Sequence, residues 1–127
     1  METVTLTNGK VVANFSSPHP FHFEDGTVLP AVSNFLSEKL KIVFHEKEYD
    51  NGDIKLSFSL SNAVLEEIFE VMQLKDENHV DVVFCPLPMI VAIKEEFGEK
   101  WLINSPFRSI RVEDRINKVI SINKQCI

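Results

Sequence analysis

The stretch "NFSSPHPFHFEDGTVLPA", residues 14–31, brings two histidines and two carboxylates together, with a proline on each side of His19. His19, His22, Glu24 and Asp25 are residue types that bind divalent metals or move protons. Their spacing argues against a metal. In an extended 21–24 the side chains alternate, so His22 and Glu24 point away from Phe21 and Phe23, whose parity His19 shares. No HExxH-like or CxxC-like spacing occurs anywhere in the chain, so no metal and no cofactor are expected. The plainer reading of "SSPHP" is a rigid connection braced by proline, which fixes φ and keeps the preceding residue extended.

Cys85 stands in "FCPLP", at the end of an apolar run and just before a helix start. The positive end of a helix lowers the pKa of a thiol placed there. A nucleophilic cysteine also needs a base, and spacing alone places none of His19, His22, His45 and His79 against it. A buried structural thiol is the competing reading. Arg108, Arg111 and Arg115 follow in "FRSIRVEDR". Planar guanidinium groups bind oxyanions in bidentate fashion, and the helix after Pro86 offers backbone N–H groups. A phosphate- or carboxylate-bearing ligand is the economical hypothesis, although "RVEDR" equally suits an internal Arg–Glu/Asp pair. Ser16 and Ser17 belong to no GxSxG elbow, and the four glycines form no phosphate-cradling loop.

The totals bound these readings. A chain of 127 residues fits one globular domain, 1–127, with a real core, and ten phenylalanines predict a Phe-rich one. No apolar run approaches the ~20 residues that span a bilayer, and "METVTLTNGK" lacks a secretory pattern. Cys85 and Cys126 alone suggest no disulfide framework. A soluble, cytoplasmic protein with reduced thiols and no membrane contact is expected. The net charge of −6 is uneven, with 7 basic against 17 acidic residues in 1–99 and 6 against 2 in 100–127. The acidic body argues against general nucleic-acid binding. The basic end suits one small anion, an acidic protein partner, or the chain's own acidic helix.

Several elements must position these residues. Two-residue turns at Asn8-Gly9 and Asp25-Gly26 would set Leu6 opposite Val11, Val4 opposite Ala13, Phe23 opposite Val28 and His22 opposite Leu29. Around Asn51-Gly52 such a turn mixes apolar and polar faces. A three-residue loop, Asp50-Asn51-Gly52, instead pairs Phe44 with Phe58 and Ile42 with Leu60. "SNAVLEEIFEVMQL" predicts a helix burying Leu65, Ile68, Phe69 and Met72, capped by Ser61 or Asn62. "VDVVFC" reads as a strand buried on both faces, and "PLPMIVAIKEEFG" as a helix ending at Gly98. Strands near 107–113 and 118–124 would close a last hairpin, Val112 facing Ile120 and Ile110 facing Ile122. The fold class is α+β: a mostly antiparallel sheet or partial barrel, mixed if 80–85 pairs in parallel, with two helices on one face or end.

At "NFSSPHPFHFEDGTVLPA" and "FRSIRVEDRINKVI" the chain resembles a group of small uncharacterised proteins encoded by T4-like tailed bacteriophages. The resemblance covers most of the chain and implies synthesis in a bacterial host cytoplasm. It carries no catalytic residues. The expectation is a binding module for a protein partner or a small anionic ligand, using His19, His22, Asp25, Arg108, Arg111 and Arg115. The alternative is a small hydrolase or transferase with His19 or His22 as base, Asp25 orienting it and arginines stabilising charge, Cys85 being a further candidate. A homo-oligomer paired through an exposed edge at 118–124 is a third possibility.

Overall fold

Asn–Gly or Asp–Gly closes three hairpins, and all three close in the same way. The computed structural model describes residues 2–78 and 80–127, and for 44, 56 and 74–78 the backbone alone. The hairpins are β1 (Thr3–Thr5) with β2 (Val11–Asn14), β3 (Phe21–His22) with β4 (Val28–Leu29), and β5 (Val43–Glu48) with β6 (Ile54–Ser59). In each loop a glycine takes φ near +90°, and its N–H donates to the carbonyl three residues back. The Asx residue before that glycine accepts from the N–H after it: Asn8 from Lys10 at 3.0 Å, Asp25 from Thr27 at 2.8 Å, Asn51 from Asp53 at 3.1 Å. The left-handed glycine and the Asx acceptor together specify a three-residue loop.

The third hairpin therefore has the expected register, with Phe44 opposite Phe58. The first two are one residue away from expectation. Val4 pairs with Val12 rather than Ala13, and Thr5 rather than Leu6 faces Val11. Phe21 pairs with Leu29 and His22 with Val28. The shift puts Leu6, Val12, Phe21 and Leu29 into one buried cluster.

The remaining elements are α1 (Asn34–Lys39), α2 (Asn62–Asn78), β7 (Val82–Phe84), α3 (Leu87–Phe97), α4 (Glu99–Asn104), β8 (Phe107–Arg108) and α5 (Val112–Asn117). Ser61 caps α2 by accepting from the Val64 N–H at 3.3 Å. The buried stripe of α2 is Val64, Ile68 and Val71, turned from the expected one, and Phe69 is 58% exposed. Ser33 caps α1 in the same manner, a helix the hydrophobic periodicity did not reveal. The central sheet runs β1-β2-β7-β8, with β1–β2 antiparallel and β2–β7 and β7–β8 parallel. The chain is α+β, its small sheets mostly antiparallel and this one mixed, and among the described residues no barrel closes. Among the described residues five helices stand where two were expected.

Strand alternation gives the central sheet two different faces. Ala13, Phe15, Val83, Cys85 and Phe107 pack against Val64, Ile68 and Val71 of α2 and Met89, Ile90 and Ile93 of α3. Phe15 and Phe107 meet edge to face, 5.5 Å between ring centres. Val12, Val82 and Phe84 face the other way, against Phe21, Phe23, Leu29 and Ile120. Each fully buried phenylalanine contributes about 2–3 kcal/mol of transfer free energy.

The last hairpin does not form. Residues 112–117 are the helix α5, with Glu113 and Asp114 in its first turn and Arg115 in its last, which complements the helix dipole. Asp114 is buried, accepting from Arg111 Nη2 at 3.3 Å and from the Ser121 N–H at 3.2 Å. Lys118, at φ +59°, turns the chain back. Ile120 then bridges in parallel to Phe23, donating to the His22 carbonyl at 2.8 Å. The 118–124 segment is thus stitched into its own chain and is not the free strand edge expected for two-fold pairing.

Candidate functional site

β2, β7 and β8 run parallel, with carboxyl ends at Asn14, Phe84 and Arg108. In open sheets with parallel strands the crevice beyond those ends is where ligands bind. Three connections leave the sheet there: 15–20, 85–86 and 109–111. They carry much of the chemistry singled out by sequence.

Asn14 organises the first connection. It is 3% exposed, its Oδ1 accepts from the Ser17 N–H at 2.9 Å, and its Nδ2 donates to the carbonyls of Ser17 at 3.0 Å and Pro30 at 3.2 Å. The Ser17 hydroxyl accepts from the His19 N–H at 3.2 Å. With Pro18 and Pro20 limiting φ, the backbone of His19 is held at the crevice mouth. Two adjoining cavities open there, of about 490 and 580 Å³, sharing Ser17, His19, Phe21, Ile110 and Arg115. The first extends along Pro18, Cys85, Pro86, Leu87 and Pro88. The second extends past Pro20 and His22 to Lys118 and Ile120, and Asp114 also borders it.

His19, His22, Cys85 and Arg115 therefore line one composite crevice, and Lys118 joins them. Among the described residues no carboxylate lies within 4.0 Å of Arg115 or Lys118. The neighbouring Asp114 is already held by Arg111 and Ser121.

Cys85 is 3% exposed, with Sγ 3.8 Å from the Arg108 carbonyl and 3.9 Å from that of Val83. Burial pushes its thiol pKa far up, against the lowering expected from the helix start, so the thiol stays protonated. That helix start is also a poor anion site. Pro86 and Pro88 have no N–H, and the Met89 and Ile90 N–H groups both go to the Pro86 carbonyl.

The remaining candidates are engaged elsewhere. Asp25 Oδ2 accepts from the Thr7 N–H at 2.9 Å and its hydroxyl at 3.0 Å, tying the β3–β4 loop to the β1–β2 loop. The backbone N–H groups of Thr7 and then Thr27 draw its pKa from 3.8 down to about 2. Arg108 donates to the carbonyls of Leu102, Ile103, Ser105 and Phe107, closing the end of α4. Arg111 clamps Glu113 at 3.2 Å and Asp114 at 3.3 Å. His45 bonds the Ser59 hydroxyl across its hairpin, and His79 lies outside the described residues. Among the described residues no three of His, Cys, Asp and Glu gather as metal ligands would.

Sequence reasoning missed Asn14 and Lys118. The signal for Asn14 was an Asx three residues ahead of Ser17, a local side-chain-to-backbone pattern. Lys118 follows a helix where the alternation predicts the end of one strand and the loop of a hairpin. Among the described residues no helix is long and apolar enough to cross a membrane. Comparisons with family models, with curated proteins and with solved structures find no match to the chain.

Proposed function

We propose that this protein is a binding module for a small anionic ligand, held in the crevice beyond the carboxyl ends of β2, β7 and β8. The supporting observation is that Arg115 and Lys118 border a cavity of about 580 Å³ with no carboxylate within 4.0 Å among the described residues. Arg115 would make the bidentate contact, Lys118 would add charge, and His19 and His22 would donate from the rim. The hydrolase or transferase reading finds less support, because Asp25 serves the hairpin loops and Cys85 is a buried thiol. A protein partner is favoured by one observation, Val112 and Ile116 lying a turn apart on α5 and 66% and 75% exposed. A bacterial cytoplasm, as the phage resemblance implies, belongs to the same proposal.

The test is an amide NMR titration with inorganic phosphate. Shifts should concentrate at 17–22, 110 and 115–120. Replacing Arg115 by alanine should weaken binding about 10- to 100-fold, the loss expected for one charge-assisted contact. Arg115 and Lys118 are exposed, so both variants should melt within about 2 °C of the parent. Binding unchanged in the double variant Arg115→Ala/Lys118→Ala would sink the proposal.

A further inference from the structure

Beyond anion binding, and resting on that reading, we infer that the crevice takes an organic phosphate monoester whose apolar, ring-like body lies along the prolines. The two cavities differ in chemistry. The one toward α5 holds Lys118, His22 and Arg115, together with Asp114, whose carboxylate is bonded to Arg111 and the Ser121 N–H. The one toward α3 is walled by Pro18, Pro86, Leu87 and Pro88. Those three prolines have no N–H, so that wall offers carbon surface and little to a second anion. Leu87 stands 44% exposed there. Arg115 belongs to both cavities and marks the border where an anionic head would join an apolar body.

Size and charge point the same way. A bare phosphate would leave most of a 490 Å³ space unfilled, whereas cavities of roughly 300–1,000 Å³ suit organic molecules. A phosphate monoester carries between about one and a half and two negative charges at neutral pH. That matches Arg115 and Lys118 together better than one carboxylate does. Phe21 and Ile110, shared by both cavities, continue the apolar floor under the junction.

The experiment compares phenyl phosphate with inorganic phosphate by calorimetry on the full chain, its Leu87→Ser variant and its Arg115→Ala variant. Phenyl phosphate should bind at least about tenfold more tightly than inorganic phosphate, the order expected from taking ring surface out of water. Leu87→Ser should shrink that preference to about threefold or less while leaving inorganic phosphate binding unchanged. Arg115→Ala should weaken both. Equal affinity for the two probes overturns the inference and leaves the anion site standing. A preference unaltered by Leu87→Ser also overturns it. If neither probe binds, the anion reading falls and this inference with it.

Discussion

Replacing Asn14 tests the framework on which the crevice rests. Its carboxamide makes three well-formed bonds, at 2.9, 3.0 and 3.2 Å, to backbone groups of Ser17 and Pro30. At roughly 1 kcal/mol net for each bond, Asn14→Ala should cost about 3 kcal/mol. For a domain of this size that lowers the melting temperature by about 10 °C. Asn14→Asp keeps the shape but turns an oxygen toward the carbonyls that Nδ2 now serves. Buried there, the new carboxyl would have a folded-state pKa above its unfolded value near 3.9. Its charge penalty is then absent below pH ~3.9 and grows as pH rises toward the folded pKa, so the deficit against the parent should be larger at pH 7 than at pH 4.5. Thermal unfolding followed by circular dichroism at both pH values provides the measurement. An Asn14→Ala protein melting within about 2 °C of the parent, with the amide signals of 17–19 unmoved, would refute the argument.

Other consequences are as direct. The Asp25 carboxyl should titrate near pH 2 by carbon-detected NMR. Its stabilising contribution, complete above about pH 4, is lost as pH falls through 2, and a midpoint at the ordinary 3.8 would contradict the loop-to-loop bonds. Cys85 should resist a thiol-specific reagent in the native state and react only on unfolding, whereas the half-buried Cys126 should react first. Arg108→Ala should destabilise by about 2 kcal/mol or more in urea unfolding, since the carbonyls of Ile103, Ser105 and Phe107 lose the guanidinium donor while that of Leu102 keeps Ser105. A loss below about 0.5 kcal/mol would mean that water replaces the guanidinium at no cost.

How far the sequence could be read follows from which interactions decide each element. The β5–β6 register was legible because sorting apolar from polar pairs excluded the shorter turn. For β1–β2 the shorter turn also gave an apolar pairing, so patterning could not separate the two. What decides there is the Asn8 side chain accepting from Lys10, a bond within the loop. At 107–124 the alternation of Ile110, Val112, Ile120 and Ile122 imitated a hairpin. The deciding contacts are Arg111–Asp114 and Asp114–Ser121, which fold the carboxylate inward and wind 112–117 into a helix. Glu113 and Asp114 ahead of Arg115 carried that helical charge order in plain view. In the site, Arg115 and His19 were named from residue type and do line the crevice. Arg108 and Arg111 were named on the same grounds, but carbonyls and carboxylates of their own neighbourhood hold them.

The placement of β7 beside β2 has a kinetic consequence. The Val11 N–H donates to the carboxylate of Asp81, 70 residues away, at 2.8 Å. Closing a segment of that length costs about 2 kcal/mol more in chain entropy than closing one a tenth as long. The hairpins can form in roughly 1–10 microseconds from local contacts, but the mixed sheet must wait for this distant encounter. Until then β2 has β1 on one side and an open backbone edge on the other. That edge is the point at which a nascent or refolding chain would pair with a neighbour instead of itself. Refolding yield should therefore fall with protein concentration more steeply than native-state stability suggests.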